Sequence, residues 1–183
     1  MSTVVVAERR SAALTAAGAV GFAVAIAAAS QVAIPLPGTP VPLTLQPMLV
    51  VLAGLWLGPR AGAASMLLFL SAGAAGLPVF SPFGPPGLAR LAGPTGGYLL
   101  AYPAAAFVAG ALARRATGFG GRLLAAGLGF LTLFVGGVLQ LGVLTGSFER
   151  AVATGFLPFV LPDAVQAVVA AVLAPVRRRA ARR

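Results

Sequence analysis

Two residues of opposite charge, Arg90 and Asp163, are the strongest candidates for a ligand-binding site in this sequence. Both lie beside apolar segments, where a charged side chain costs roughly 2.5 to 3.5 kcal/mol or more. A guanidinium can bind a carboxylate through two parallel hydrogen bonds, and a carboxylate can accept hydrogen bonds from a neutral ligand rich in N–H groups. Two structural alternatives stay open. Arg90 could be solvated in a loop, and Asp163, which follows Pro162, could be the N-cap or a first-turn acid of a helix.

Several neutral polar residues lie near these charges in the expected architecture. Gln166 follows Asp163 by three residues, so a helix places both side chains on one face. Together they could address the donors and the acceptor of a cyclic urea or amide. Thr44 and Gln46 lie at the start of the apolar segment near 43–58 and are candidates for the same ligand. Gln140 is one polar residue deep in the second half of the segment near 122–145.

The glycine-rich turn at 93–98 (GPTGGY) is a candidate anion site. A phosphate-binding P-loop needs a lysine, and this chain contains none. The turn instead predicts close backbone approach and exposed amide donors at Gly96 and Gly97, at the start of a helix that favours an anion. Tyr98 belongs to a set of aromatic residues near segment ends, most of them expected as interfacial anchors and one or two as pocket walls: Trp56, Phe80, Phe83, Tyr98 and Tyr102.

The composition excludes several classes of protein. Only 9% of the 183 residues are charged, and the mean hydropathy is +0.98, far from the roughly 25% charge of a soluble domain. The chain has no Cys and no His, so it lacks thiolate chemistry, the commonest general base and the usual metal ligands. We therefore expect neither an enzyme nor a metal protein. The net charge is +10, but no aromatic residues are interleaved with the arginines. This pattern favours anionic lipid headgroups over nucleic acid as the partner of the basic residues.

Charges and Pro/Gly clusters divide the chain into six apolar segments of about 16 to 24 residues, long enough to span a bilayer. They lie near 12–34, 43–58, 61–80, 96–113, 122–145 and 157–176. The pattern predicts an all-α integral membrane protein, a six-transmembrane-helix bundle.

The arginines orient this bundle. If the N-terminus is cytoplasmic, only Arg90 and Arg150 of the 13 basic residues fall outside, and the positive-inside rule then places both termini in the cytoplasm. The remaining arginines fall on the cytoplasmic side: Arg9, Arg10, Arg60, Arg114, Arg115, Arg122, Arg177, Arg178, Arg179, Arg182 and Arg183. We expect a cytoplasmic tail at 1–11, a membrane domain at 12–176 and a basic cytoplasmic tail at 177–183. The first apolar segment is longer than a signal peptide's core, which indicates a retained helix.

Small residues recur every four positions in the first segment, at Ala13, Ala17 and Gly21. This spacing lets helix backbones approach closely. The helix face that they form is expected to pack either within the bundle or against an external partner.

Four sequence blocks together are similar to a known family. They are 35–46 (PLPGTPVPLTLQ), 54–65 (GLWLGPRAGAAS), 76–80 (GLPVF) and 90–98 (RLAGPTGGY). In this order they resemble the BioY family, the biotin-binding S components of energy-coupling factor (ECF) transporters, and the resemblance covers essentially the whole chain.

The resemblance implies a six-helix S-component fold in the bacterial cytoplasmic membrane, with biotin bound near the outer face and no cofactor. It also implies that the first helix docks on a transmembrane T component, which works with ATPase subunits. Carried over to this sequence, Arg90 would bind the biotin carboxylate and Asp163 would contact the ureido ring. Gly96 and Gly97 would help hold the carboxylate, while Gln166, with Thr44 or Gln46, would help pair the ureido group.

One block departs from the family pattern. The family usually reads close to Pro-Gly-Asp-x-x-Lys-Ala, whereas residues 161–167 read LPDAVQA, with Gln166 at the lysine position. Glutamine keeps a donor but loses the charge. An S component for another small vitamin is therefore an alternative function. A membrane scaffold without a ligand, in which Arg90 and Asp163 only cap helices, is the other alternative.

Overall fold

The fold is a bundle of helices, with long irregular connections between the first and second helices and between the third and fourth. The computed structural model describes the backbone of residues 2–176 and the side chains of residues 12–176. The expected basic tail at 177–183 lies outside the described residues, and the backbone of 2–11 continues the first helix. The helices are α1 (Ser2–Ser30), α2 (Gln46–Leu57), α3 (Pro59–Ala74), α4 (Leu88–Ala92), α5 (Gly96–Ala113), α6 (Gly118–Thr145), α7 (Phe148–Gly155) and, after a 3₁₀ turn (Leu157–Phe159), α8 (Val160–Leu173).

Four helical stretches in the described part of the chain are long and apolar enough to cross a membrane. They are Ala12–Ser30, Gly96–Ala113, Gly118–Thr145 and Phe148–Leu173. The segments expected near 43–58 and 61–80 form the shorter helices α2 and α3, of 12 and 16 residues. At a rise of 1.5 Å per residue these reach about 18 and 24 Å, less than a hydrocarbon core of about 30 Å. Irregular backbone therefore replaces helix at one end of each segment.

Part of that irregular backbone is a small hairpin between α1 and α2. Strand β1 (Ala33–Ile34) pairs antiparallel with β2 (Leu43–Thr44), and Ala33 lies opposite Thr44. The four prolines of 35–42 cannot continue a helix, and Gly38 (φ 81°) reverses the chain between them. The hairpin holds Thr44 and Gln46 at this end of the bundle.

Small residues allow α2, α3 and α5 to pack with little space between their backbones. A Cβ built on Gly110 of α5 would lie 2.7 Å from the carbonyl oxygen of Gly54 in α2. A Cβ on Gly62 of α3 would lie 2.8 Å from the Cα atom of the same Gly54. At these glycines no side chain fits between the backbones, so dispersion contacts at the close approach help to hold the three helices together.

The small-residue face of α1 is not packed within the bundle. Ala13 and Ala17 are exposed, and a Cβ built on Gly21 would meet no atom within 4 Å. The buried side of α1 instead carries Ala19 and Ile26. Of the two expectations for this face, packing inside the described bundle is therefore wrong.

Candidate functional site

A single cavity collects most of the sequence-predicted polar residues at the end of the bundle where α2 begins and α3 ends. Its apolar wall consists of Val41, Pro42, Leu43, Pro47, Phe80, Leu99, Leu133, Phe134 and Phe159. Its polar groups come from Thr44, Gln46, Ser81, Arg90, Thr95, Tyr98, Tyr102 and Asp163. A mostly apolar wall with a few convergent polar groups is typical of a small-molecule site.

Arg90 is buried in this wall, with 5% of its surface exposed. Its short helix α4 begins after Gly87 (φ 65°), and its Nη1 and Nη2 atoms donate to the backbone carbonyls of Phe83 and Ser81. Gly84 (φ 111°) passes so close that a Cβ there would lie 2.7 Å from Nη1. The Nε atom is buried and has no hydrogen-bond partner among the described residues.

The environment of Arg90 is unusual for a loop arginine. Burial lowers the pKa of the Arg90 guanidinium because desolvation disfavours its charged form. The group nevertheless stays protonated, because a guanidinium is not deprotonated in proteins. A buried cation next to a cavity attracts an anionic group, so solvation in a loop does not describe this residue.

Asp163 lies in the first turn of α8 with 7% of its surface exposed. Gln166 Nε2 donates to Asp163 Oδ1 at 3.1 Å and to the Thr44 carbonyl oxygen at 3.2 Å. The same-face relation expected from their spacing is thus a direct hydrogen bond. Asp163 also faces the cavity, whereas Gln166 supports it from behind the wall.

A donor and an acceptor near Asp163 lack hydrogen-bond partners among the described side chains. They are Gln46 Nε2 and Gln166 Oε1, both buried. The Thr44 hydroxyl donates to Gln46 Oε1 at 3.4 Å and leaves Nε2 of that amide unused. Buried polar atoms are usually hydrogen-bonded, so Gln46 Nε2, which belongs to a residue that lines the cavity, suits a ligand that carries an acceptor.

Tyr98 links two elements at the cavity. Its hydroxyl donates to the Gly155 carbonyl oxygen at 2.5 Å, where α7 ends, and its ring covers Gly137 of α6 so closely that a Cβ there would clash. The ring lines the cavity while the hydroxyl is already paired. Tyr98 therefore supplies an apolar surface rather than a free donor.

Gly96 and Gly97 do not line the cavity. They face α6 instead, where a Cβ on Gly96 would lie 2.6 Å from Gln140 Nε2 and one on Gly97 would lie 2.7 Å from Gln140 Cβ. The Gly96 amide is also already paired, because it donates to the Gly93 carbonyl oxygen at 2.9 Å. Their expected role as donors to the ligand carboxylate stays a prediction, and neither glycine is among the residues that line the cavity.

Sequence reasoning missed several cavity residues. Phe134 and Phe159 come from the middle of α6 and from the 3₁₀ turn, and Ser81 and Thr95 come from loops. Hydropathy cannot separate a phenylalanine that faces a cavity from one that faces lipid. Of the aromatic residues at segment ends, Phe80, Tyr98 and Tyr102 line the cavity, whereas Trp56 and Phe83 are exposed.

The described residues offer no group of three or more His, Cys, Asp or Glu side chains that could hold a metal ion. The cavity combines one cation, one carboxyl group, the Gln46 amide and apolar walls, a set of groups suited to a small organic molecule. The fold and the site thus define a helical membrane protein that binds a small organic molecule.

The sequence of this chain is similar to those of known biotin transporters. A sequence profile of the BioY family matches residues 4–183, so the chain belongs to the BioY family. A probable biotin transporter BioY of Pyrococcus horikoshii is 44% identical over 135 residues, which are 74% of this chain and 79% of that protein. The biotin transporter BioY of Thermotoga maritima is 37% identical over 153 residues, 84% of this chain and 89% of that protein.

A solved structure has the same fold. The crystal structure of the S-component for biotin from an ECF-type ABC transporter aligns with a TM-score of 0.83 and 25% identity. The alignment covers 90% of each chain. The chain is therefore a membrane protein of a transporter family and not an enzyme, as the sequence predicts.

Proposed function

We propose that this chain is a substrate-binding S component that captures biotin from the outer face of the cytoplasmic membrane and mediates its uptake. The observation that carries the proposal is the burial of Arg90 and Asp163 in the wall of one cavity. Biotin has a carboxylate at one end, a ureido ring at the other and apolar atoms between them. The relatives and the solved structure named for biotin support this choice of ligand.

Arg90 binds the biotin carboxylate in this proposal. The guanidinium has five N–H donors, and the two loop carbonyls occupy only part of that capacity. Its unpartnered Nε–H and any Nη–H not held by the loop are free for an anion. A charge-assisted hydrogen bond in a mostly apolar cavity is stronger than the same bond in water.

Asp163 and its neighbours bind the ureido group. The Asp163 carboxylate accepts hydrogen bonds from the ureido N–H groups, and Gln46 Nε2 donates one to the ureido oxygen. Gln166 orients Asp163 and Thr44 orients Gln46 through the hydrogen bonds described above. The thioether ring and alkyl chain lie against Tyr98 and the phenylalanines of the apolar wall.

The cavity faces outward in a bundle of six spans whose termini are both cytoplasmic. The charge distribution supports this orientation, because Arg60, Arg114, Arg115 and Arg122 lie at the helix ends away from the cavity. Helices α2 and α3 would cross as short helices completed by the hairpin and by the 75–87 segment. Irregular backbone is tolerated at membrane depth where it lines a cavity, as it does here.

Release inside would need energy from partners. The exposed face of Ala13, Ala17 and Gly21 on α1 is the surface proposed to dock on a transmembrane T component, with ATPase subunits attached to it. A helix face that admits close backbone approach suits such a contact in lipid. The alternative is that a second copy of this chain covers the same face, without an energising module. Co-purification from native membranes distinguishes these two partners.

Equilibrium binding of labelled biotin to the purified protein tests the proposal. Arg90→Ala and Asp163→Asn are each expected to weaken binding at least tenfold, about 1.4 kcal/mol. The matched control is Arg150→Ala, an exposed arginine on the same side that does not line this cavity.

The same experiment separates the alternatives. If biotin neither binds nor raises the melting temperature while another vitamin does, the uncharged Gln166 marks a different ligand specificity. If no vitamin stabilises the protein and both variants only lower its stability, the chain is a scaffold, since a ligand of the folded state must stabilise it.

A further inference from the structure

Gln140 is a polar residue of a long apolar helix that the proposed binding mechanism does not use. It lies in the second half of α6, within a stretch long and apolar enough to span a membrane. Its Nε2 donates to the carbonyl oxygens of Leu91 at 2.9 Å and Gly93 at 2.8 Å. Both acceptors lie 47 or more positions away in sequence, so these bonds join α6 to a remote segment.

The acceptors belong to the end of the helix that carries Arg90. Leu91 is the next residue after Arg90 in α4, and Gly93 directly follows that five-residue helix. The last carbonyls of a helix have no intrahelical partners and need donors from elsewhere. Gly93 N satisfies the Arg90 carbonyl at 3.1 Å, and Gln140 satisfies the Leu91 carbonyl.

The two glycines at the start of α5 make this contact possible. A Cβ on Gly96 would clash with the Leu91 carbonyl and lie 2.6 Å from Gln140 Nε2. A Cβ on Gly97 would lie 2.7 Å from Gln140 Cβ. The glycine pair thus opens the path along which the Gln140 side chain reaches α4.

We infer that Gln140 is a positioning residue that sets the direction of the Arg90 guanidinium by fixing the end of α4 against α6. The inference rests on the proposed function, in which Arg90 binds the biotin carboxylate. Gln140 does not line the cavity, so its effect on the ligand is indirect, and its hydrogen bonds reach the cavity at the helix that carries Arg90. A helix of five residues has little rigidity of its own, because isolated short helices are marginal in water. Without Gln140, the hydrogen bonds from Arg90 to the loop remain. The C-terminal end of α4, however, loses the two hydrogen bonds that join it to α6.

The test compares two ligands that differ only at the carboxylate, biotin and biotin methyl ester. Gln140→Leu keeps a similar volume and removes both donors. This substitution is expected to weaken the binding of biotin about tenfold and to change the binding of the methyl ester less than twofold. In an Arg90→Ala background, Gln140→Leu is expected to have no further effect on biotin, because the two residues act through one contact.

Thr132→Val is the matched control, since Thr132 is on the same helix and its hydroxyl donates within that helix, to the Leu128 carbonyl oxygen at 2.8 Å. Equal weakening of both ligands by Gln140→Leu would show a general structural role and overturn the inference, as would unchanged biotin affinity. Gln140→Met replaces Gln140→Leu if the leucine variant does not fold. Failure of the parent protein to bind biotin would instead overturn the proposed function itself.

Discussion

Gln166 donates its side-chain amide to Asp163 from one turn further along α8, at 3.1 Å, and holds the Thr44 carbonyl with the same nitrogen. This nitrogen joins residues 122 positions apart and connects α8 to the end of the hairpin. The proposed ureido site therefore depends on contact between two remote parts of the chain. Gln166 is a support for the carboxylate rather than a wall of the cavity.

Gln166→Leu is expected to weaken biotin binding about five- to tenfold and to lower stability by about 1 to 3 kcal/mol. The buried Asp163 oxygen and Thr44 carbonyl each lose a donor, and an unsatisfied buried group costs its desolvation penalty. Titration with labelled biotin and thermal unfolding measure the two effects. Val165→Leu, an exposed change on the same helix, is the control. Unchanged affinity for Gln166→Leu would contradict the supporting role.

Tyr98→Phe is expected to lower stability by about 0.5 to 1.5 kcal/mol while leaving biotin affinity within about threefold. The substitution removes the hydrogen bond to the Gly155 carbonyl at 2.5 Å but keeps the ring that lines the cavity. Thermal unfolding with and without biotin measures both quantities. A large loss of affinity without a loss of stability would show that the hydroxyl itself contacts the ligand.

Gly54→Ala is expected to destabilise the protein by about 1 to 3 kcal/mol, because overpacking forces α2 and α5 apart. A Cβ at this position would clash with the Ala106 carbonyl and lie 3.0 Å from Gly110 N. Gly127→Ala is the matched control on α6, where a Cβ would meet nothing within 4 Å. That control is expected to be neutral or to stabilise the helix by up to about 1 kcal/mol. Equal melting temperatures for the two variants would contradict the close packing.

The proposed orientation can be tested directly because the chain contains no cysteine. Single variants Glu149→Cys, near the cavity end, and Thr117→Cys, at the opposite end, place one thiol on each side at exposed positions. A membrane-impermeant maleimide is expected to label Glu149→Cys in intact cells and Thr117→Cys only after permeabilisation. The parent protein is the unlabelled control, and the reverse pattern would invert the topology.

Properties that depend on local sequence could be predicted. Hydropathy located the apolar segments, four of which form helical stretches long enough to cross a membrane in the described part of the chain. The four sequence blocks identified the BioY family, which the family profile confirms. Arg90 and Asp163 were recognisable because a charge beside a membrane segment is costly and rare.

Properties that depend on distant residues could not be predicted. The lengths of α2 and α3 were overestimated, since apolar residues at their ends line a cavity instead of continuing a helix. Phe134 and Phe159 carried no signal that separates them from lipid-facing residues. Gly96 and Gly97 suggested amide donors, yet they face Gln140 on α6.

Composition and the order of residues along the chain thus decided that this protein enters the membrane and which of its groups are chemically exceptional. Tertiary packing alone decided which of those groups meet, placing Arg90 and Asp163 in the lining of one cavity and Gln140 against the end of α4. The physical reason is that hydropathy and turn propensity are local properties. A binding site, in contrast, arises where side chains far apart in sequence are brought within hydrogen-bond distance.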